Sequence, residues 1–384
     1  MSIRSLPDSA AACRICSGAI DRADSAEHVI PNAVGGRLKV KGFICRACNS
    51  VAGHSWDAAL AAQLNPLCLL FEIVRERGAP PPLTVNTTAG ERLSIRSDFS
   101  LTLAQPDVSI MQTDAGPSVS ITARSAREAR QILTQMKAKY PAIDVERQLA
   151  AVQDASSPAK GMIQLALELG GDVAGRSIVK SALAMAHLAG VVITDGDAID
   201  YLRHAGASPC FDYYYETDPI ADRPATPFHC AAVSANPATG LVLGYIEYFG
   251  IYRIVVCLSR SYGGPAIRHS YAVDPRTGQK LDLDVRLALD TAAVDRLYTG
   301  EMYVNDQIVT AFETLIPVAL ARKHARDREQ LIGRAFDKAW TDCGAQPDEI
   351  LTEMHIRALA ETFAQEMVQA LKLGGAGPAR RWPE

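Results

Sequence analysis

The pattern of apolar and polar positions changes along the chain and predicts regions of different kinds. Apolar and polar residues alternate over residues 83–122, where Thr, Val and Ile are frequent, which predicts three or four strands. Residues 125–140 have the spacing of an amphipathic helix, and residues 159–206 are rich in Ala and Leu at helical spacing. Aromatic and β-branched runs in residues 209–285 predict further strands, and residues 288–372 return to a helical period.

The amino-terminal region has a different pattern. Short β-like segments separated by glycines occupy residues 13–48. Residues 49–64 predict a helix that ends before Pro66, because proline lacks an amide donor and interrupts helices. A further short apolar helix is expected over residues 66–78.

Three consecutive prolines, at residues 80–82, mark the clearest linker in the chain. We therefore predict a small module over residues 1–78 and a larger domain over residues 79–384, with a further boundary near residue 155. The expected fold class is α+β, with the larger domain ending in helices.

Composition and charge narrow the class of protein. Hydrophobic residues make up 48% and charged residues 21%, as in folded globular proteins. No apolar run reaches the roughly 18 residues of a membrane span, and the start lacks the order of a secretory signal, so we expect a cytoplasmic protein without membrane contact. The net charge is −4, but residues 1–57 carry seven basic and five acidic residues, a net of +2 that leaves −6 elsewhere. A surface for phosphates is therefore expected near the amino terminus.

Two Cys-x-x-Cys pairs predict a metal site in the amino-terminal module. Cys13 and Cys16 form the first pair, and Cys45 and Cys48 form the second. Each pair can present two thiolates to one tetrahedral ion, and four cysteines complete the shell of a structural zinc. Such a closed shell leaves no position for water, so any catalysis must come from other residues.

The residues around these pairs carry a resemblance to a known family. An acid-histidine pair lies between them, and an asparagine follows the second pair directly. At this point the sequence resembles the HNH endonuclease family, in particular members with two zinc knuckles around a ββα-metal fold. The matching residues are Cys13, Cys16, Glu27, His28, Pro31, Gly35, Gly36, Cys45, Cys48, Asn49, Gly53 and Asp57.

The resemblance implies a metal-dependent endonuclease that hydrolyses phosphodiester bonds in DNA. His28 would be the general base, while Glu27 and Asn49 would hold a catalytic Mg²⁺ or Mn²⁺ ion. His54 and Asp57 are both candidates for the third ligand, and the family pattern favours Asp57. Asn49 has a second interpretation as a helix cap.

One element of the family pattern has no counterpart. The middle asparagine, which braces the loop ahead of the second knuckle, is missing, because residues 33–48 contain no asparagine. Asn32 could take part of that bracing role, although its spacing differs.

Weaker candidates lie in the larger domain. Ser177 and Lys180 fit a Ser-x-x-Lys pattern of serine acylases, but the other motifs of those enzymes are missing, so ordinary helix surface is expected. Residues 208–215 with Asp218, Arg223, His229, Tyr245 and Arg253 are either a ligand or recognition groove or a polar-edged β core.

Three functions remain open from the sequence. The first is an HNH endonuclease whose residues 83–384 recognise DNA, a partner or a signal. The second is a zinc-ribbon DNA-binding protein that does not cleave. The third is a nuclease effector in phage defence, gated by a small ligand, such as a nucleotide, that binds in the aromatic region of residues 209–272. A small-molecule or protein regulator of the carboxy-terminal domain is a further expectation. A homodimer is a further expectation, because double-strand cleavage needs two active sites.

Overall fold

The computed structural model describes residues 12–21, 26–113, 116–152, 159–346 and 348–374. The strands, in chain order, are β1 (Glu27–His28), β2 (Lys39–Val40), β3 (Leu83–Thr87), β4 (Arg92–Ile95), β5 (Leu101–Leu103), β6 (Asp107–Thr113), β7 (Gly116–Thr122), β8 (Ile163–Gln164), β9 (Phe211–Tyr213), β10 (His229–Asn236), β11 (Leu241–Tyr248), β12 (Tyr252–Ser259), β13 (Ile267–Val273) and β14 (Lys280–Leu281). The helices are α1 (Arg46–Val51), α2 (Asp57–Leu70), α3 (Ala126–Lys139), α4 (Val145–Ala150), α5 (Gly171–Leu188), α6 (Asp197–Arg203), α7 (Thr291–Tyr298), α8 (Asn305–Asp342) and α9 (Glu353–Gly374).

The chain folds into two compact units. The first comprises the chain up to Leu83, Arg96–Ser100 and Leu165–Val318. The second comprises Thr84–Ile95, Leu101–Gln164 and the chain from Ala319 onwards. The amino-terminal residues therefore share a compact unit with residues far along the chain. The module predicted over residues 1–78 stays a proposal about a functional unit. The boundary predicted near residue 155 lies outside the described residues.

The amino-terminal part of the first unit is a β-hairpin followed by a helix. Strands β1 and β2 are antiparallel, with Glu27 opposite Val40 and His28 opposite Lys39. Helix α1 continues through one π-helical turn into α2. Helix α2 does not end before Pro66 but contains it and runs to Leu70. The buried leucines around Pro66 compensate for the hydrogen bond that proline cannot make.

A six-stranded antiparallel sheet forms the core of the first unit. Its strand order is β14-β13-β10-β11-β12-β9. Helix α5 packs on β10, β11 and β12. The two elements approach closely at Gly244, where an added Cβ would lie 2.4 Å from the Ala182 side chain. The close packing fixes the distance between α5 and the sheet. Helix α5 also contacts the amino-terminal hairpin region, so its position bears on the residues there.

The second unit contains the alternating segments of the sequence. Strands β5, β4, β3 and β8 form a four-stranded sheet, and β6 pairs with β7 in a separate hairpin. Five strands therefore lie in residues 83–122, where the pattern predicted three or four. The predicted amphipathic helix is α3, which Ser125 caps by accepting a hydrogen bond from the Glu128 amide.

The predicted fold class is confirmed. The chain is a mixed α and β protein with a cysteine cluster near its amino terminus and a larger region that ends in the helices α8 and α9. Among the described residues, no helix combines the length and the apolar character that crossing a membrane requires.

Candidate functional site

Four cysteine thiols meet in the amino-terminal region. Cys13 and Cys16 lie in a turn closed by a 2.9 Å hydrogen bond from the Ser17 amide to the Cys13 carbonyl. Cys45 is the N-cap of α1 and Cys48 lies inside that helix. The four Sγ atoms lie within 4.8 Å of one another, and those of Cys16 and Cys45 are 3.7 Å apart. Tetrahedral zinc with Zn–S bonds of about 2.3 Å separates its sulfurs by about 3.8 Å. The spacing and the donor set therefore fit a structural zinc ion.

The surroundings of these thiols show why a cation among them would be favourable. Burial raises the pKa of Cys13 and of Cys48. The backbone amide of Gly18 has the opposite effect on Cys16 and lowers its pKa to about 7. Thiolates are the form that binds zinc, so an ion among the four sulfurs offsets the penalty of placing negative charge there.

The loop between β1 and β2 has a shape that only glycine allows. Gly35 has φ +100°, in the left-handed region. A Cβ at Gly36 would lie 1.8 Å from the carbonyl oxygen of Ile30. Asn32 donates from Nδ2 to the Gly36 carbonyl over 3.4 Å and accepts a 3.3 Å hydrogen bond from the Glu76 amide. Asn32 therefore links this loop to the backbone at Glu76, and its share in the bracing role of the family asparagine stays a prediction.

His28 is half-buried on β1 and faces an acidic partner. Its Nε2 lies 3.5 Å from Oε2 of Glu76. The same carboxylate oxygen accepts a 2.9 Å hydrogen bond from Nζ of Lys39, which is the residue opposite His28 on β2. Burial is the main cause that lowers the pKa of His28, followed by the charge of Lys39. The imidazole is therefore neutral near pH 7 and able to accept a proton.

Glu27 reaches a different set of partners, because side chains alternate along a strand. Its carboxylate forms an ion pair with Nζ of Lys180 on α5. The same Nζ lies 2.6 Å from Oδ2 of Asp57, at the start of α2. Oδ1 of Asp57 accepts a hydrogen bond from Oγ of Ser177. The structure thus brings Glu27 and Asp57 together around one buried ammonium group.

The expectation that Ser177 and Lys180 belong to ordinary helix surface is wrong. Both residues are 0% exposed. A buried lysine needs a negative partner, and here two carboxylates from the amino-terminal region provide it. Lys180 is the one charged residue between Ser177 and Ala186, but this isolation does not indicate which distant residues will compensate its charge.

Asn49 lies elsewhere on the same helical segment. It is inside α1, whose N-cap is Cys45, so it is not the cap of that helix. His54 follows in the π-helical turn, and its Nδ1 lies 2.8 Å from the Ser50 carbonyl oxygen. A depression of about 310 Å³ is lined by Arg46, Asn49, Ser50, Gly53 and His54. The depression therefore carries one amide, one imidazole and one guanidinium side chain, and it lies beside the Cys45 and Cys48 pair, which contains Arg46.

The aromatic and charged region of the large sheet is a polar core. Glu247 is 0% exposed and forms an ion pair with Arg223, while Oη of Tyr245 donates to it over 2.7 Å. Nε of Arg253 lies 3.7 Å from the same carboxylate, and Asp218 also binds Arg223. These groups compensate one another inside the sheet, which favours the polar-edged core over the ligand groove.

A comparison with known protein families identifies what the amino-terminal residues resemble. Residues 13–65 match the model of an HNH endonuclease family. The matched range contains the cysteine cluster, Glu27, His28, Asn49 and Asp57. Neither a curated protein nor a solved structure matches the chain. The HNH relationship predicted from the sequence is therefore confirmed for these residues, and they are called the HNH region below.

Three polar residues of the site lie outside the matched range and were not predicted. They are Glu76, Ser177 and Lys180. Glu76 follows α2 and contacts His28, and the other two come from α5. No local motif could have indicated them, because their roles depend on how α5 and the end of the HNH region pack.

Proposed function

We propose that this protein is a metal-dependent endonuclease that hydrolyses phosphodiester bonds in DNA through its HNH region. The match of residues 13–65 to an HNH endonuclease family carries this proposal. The placement of His28 supports it, since a half-buried imidazole with a lowered pKa is neutral at physiological pH. The cysteine cluster would hold zinc and keep the hairpin and α1 in register around that residue.

In this proposal the side chains of the HNH region divide the chemistry. His28 takes a proton from the attacking water, which makes the oxygen a better nucleophile. In this proposal Glu76 is a positioning residue for the imidazole ring of His28, because its carboxylate lies beside Nε2 of that ring. Arg46, exposed at the rim of the depression, offers a positive charge to a phosphate group.

Glu27, Asp57 and Asn49 have side chains of the kind that binds a divalent cation. Glu27 and Asp57 present carboxylate oxygens that already converge on one cationic group, and Asn49 offers an amide oxygen. Hard oxygen donors of this kind suit Mg²⁺ or Mn²⁺. We propose Glu27 and Asn49 as ligands, with Asp57 ahead of His54 as the third. Such an ion supplies positive charge that stabilises the departing oxygen.

A zinc-stabilised DNA-binding protein without cleavage is the second candidate. The observation that favours it is the ammonium group of Lys180, which lies between Glu27 and Asp57 where the cation would bind. A binding protein would need the cysteine cluster and the basic residues of the HNH region but would not need His28. Replacing His28 therefore separates the two functions.

The deciding experiment replaces His28 with alanine in the full chain. We expect His28→Ala to reduce plasmid cleavage in Mg²⁺ or Mn²⁺ by about 10²- to 10⁴-fold, as for loss of a general base. DNA affinity and zinc content should stay near those of the original protein, because the imidazole acts on water. His324→Ala, at an exposed histidine of α8, is the matched control and should cleave normally. Cleavage by His28→Ala at the original rate would contradict the proposal, and equal inactivity of all proteins with intact DNA binding would favour the second candidate.

Other aspects of the function stay predictions. A homodimer, a cytoplasmic location and a regulator of the carboxy-terminal region rest on the sequence arguments alone. Gating by a ligand, as in a phage-defence effector, would require a response to that ligand in the same plasmid assay. A small molecule that changes cleavage without contacting the HNH region would support it.

A further inference from the structure

The buried cation at the acidic pair is the feature that the proposed function does not use. Lys180 is 0% exposed, and its only route to charge compensation in the described contacts is through Glu27 and Asp57. Ser177, one helical turn earlier on α5, binds the second oxygen of Asp57. Four polar groups from three elements thus form one closed network.

The helix that carries Lys180 is fixed in place. Ile178, Val179 and Ala182 around it are fully buried. The contact of Ala182 with Gly244 of the sheet leaves no space for α5 to shift towards β11. Because α5 is fixed, the route by which the ammonium group can move away from the two carboxylates is a change of rotamer of its own side chain.

The charges decide what else can bind at this position. Two ionised carboxylates and one ammonium leave a formal charge of −1, so the ammonium compensates half of the buried negative charge. A divalent ion on the same oxygens would place two like-signed cations within a few ångströms of each other. The repulsion between them is strong where water is excluded.

We infer that Lys180 is a tethered cation that competes with the divalent metal ion for Glu27 and Asp57. The inference rests on the proposed function, which assigns those carboxylates to a metal ion. In the absence of metal, Lys180 compensates the pair and keeps the HNH region folded against α5. Metal binding requires Nζ to move away, so Lys180 weakens the affinity of the site and sets the metal concentration at which it fills.

The first test measures Mn²⁺ binding to the full chain by titration calorimetry, with the zinc retained. We expect Lys180→Met to bind Mn²⁺ about tenfold more tightly or better than the original protein, because the state with free carboxylates is normally the minor one. The double variant Lys180→Met with Glu27→Gln should lose this gain. Lys137→Met, at an exposed lysine of α3, removes the same charge and should leave Mn²⁺ binding unchanged.

Equal or weaker Mn²⁺ binding by Lys180→Met would overturn the inference. If that variant is poorly folded, Lys180→Gln provides the second comparison, and Mn²⁺ should raise its unfolding temperature more than that of the original protein. Failure of both variants to respond to Mn²⁺ also counts against competition.

A second measurement uses the unmodified protein and avoids any folding defect. Lysine acetylation read by mass spectrometry should leave Lys180 protected without added metal and should modify it when Mn²⁺ is saturating. Protection that is unchanged by bound Mn²⁺ would overturn the inference. Neither readout depends on cleavage, so tighter Mn²⁺ binding in Lys180→Met together with an inactive protein would refute the proposed nuclease while leaving this inference intact.

Discussion

The cysteine cluster and the acidic pair are two cation sites built on opposite principles. All four cysteines lie in two short motifs, and the turns within each motif bring the sulfurs together. Glu27 and Asp57 instead converge on Lys180, which lies 153 residues after the first and 123 after the second. The first site fits an external zinc ion, whereas the second carries a cation supplied by the chain itself.

The difference shows what each site contributes to folding. Four thiols gathered at one point repel as they ionise, so a zinc ion among them would help to hold the hairpin and α1 together. The acidic pair stabilises the contact between the HNH region and α5 without any metal. We therefore expect metal removal and charge removal to damage the molecule in different ways.

The largest effect is expected at the cysteine cluster. Cys45→Ser removes one thiolate, and structural zinc sites of this kind contribute about 10–16 kcal/mol to the folding of small zinc modules. We expect elemental analysis to find no bound zinc, and hydrogen exchange to lose protection over β1, β2 and α1. Cys343→Ser, at a buried cysteine outside the cluster, should keep the zinc. A full zinc content in Cys45→Ser would show that the cluster is not the binding site.

The next largest effect is expected at the acidic pair, without any added divalent ion. Lys180→Met leaves two carboxylates without their counter-ion, and breaking a buried ion pair in this way typically costs about 3–5 kcal/mol. Denaturant unfolding should show this loss while the zinc content stays unchanged. Lys137→Met again controls for the loss of one positive charge. An unchanged free energy of unfolding would mean that Lys180 contributes no stability and that the two sites do not differ as argued.

A smaller effect is expected where the hairpin loop meets the sheet through a neutral group. His229 is fully buried, its Nε2 lies 2.7 Å from the Val34 carbonyl oxygen, and its Nδ1 accepts a 3.1 Å hydrogen bond from the Phe249 amide. Burial lowers its pKa to about 4. These two hydrogen bonds require the neutral ring with its proton on Nε2.

The sign of the pH effect follows from that lowered pKa. Below about pH 6.5 the unfolded chain protonates His229, while the folded chain does not until about pH 4. Stability is therefore complete above pH 6.5 and is lost as the pH falls towards 4, by up to about 3 kcal/mol. His229→Gln should remove this component from unfolding curves measured at several pH values, and His204→Gln, at an exposed histidine, should retain it. Identical pH dependence in both variants would contradict the assignment.

The sequence predicted those features that depend on local spacing. Turns and periodic patterns are set within a few residues. The sequence therefore indicated the cysteine pairs, the acid-histidine pair, the helical carboxy-terminal end and the α+β class. The continuation of α2 through Pro66 could not be predicted, because burial of the surrounding leucines overrides the preference of proline. The role of Lys180 could not be predicted either, because a Ser-x-x-Lys spacing does not indicate which distant carboxylates will contact the lysine.

The smallest effect is expected at Glu76, the acidic partner of His28, which we propose as the general base. Glu76 is the only partner of His28 Nε2 within ion-pair distance in the described contacts, but the separation is 3.5 Å and the carboxylate is about one-third exposed. Exposed pairs of this kind contribute at most about 1 kcal/mol, which corresponds to about a fivefold change in rate. We therefore expect Glu76→Gln to lower cleavage by no more than about fivefold, far less than His28→Ala. Because the glutamine keeps the backbone contact with Asn32, the loop should stay intact, and zinc content and DNA affinity should not change. A loss as large as that of His28→Ala would show that Glu76 acts in the chemistry itself. His28 would then depend on a charged partner from outside the matched residues, as Glu27 and Asp57 depend on Lys180.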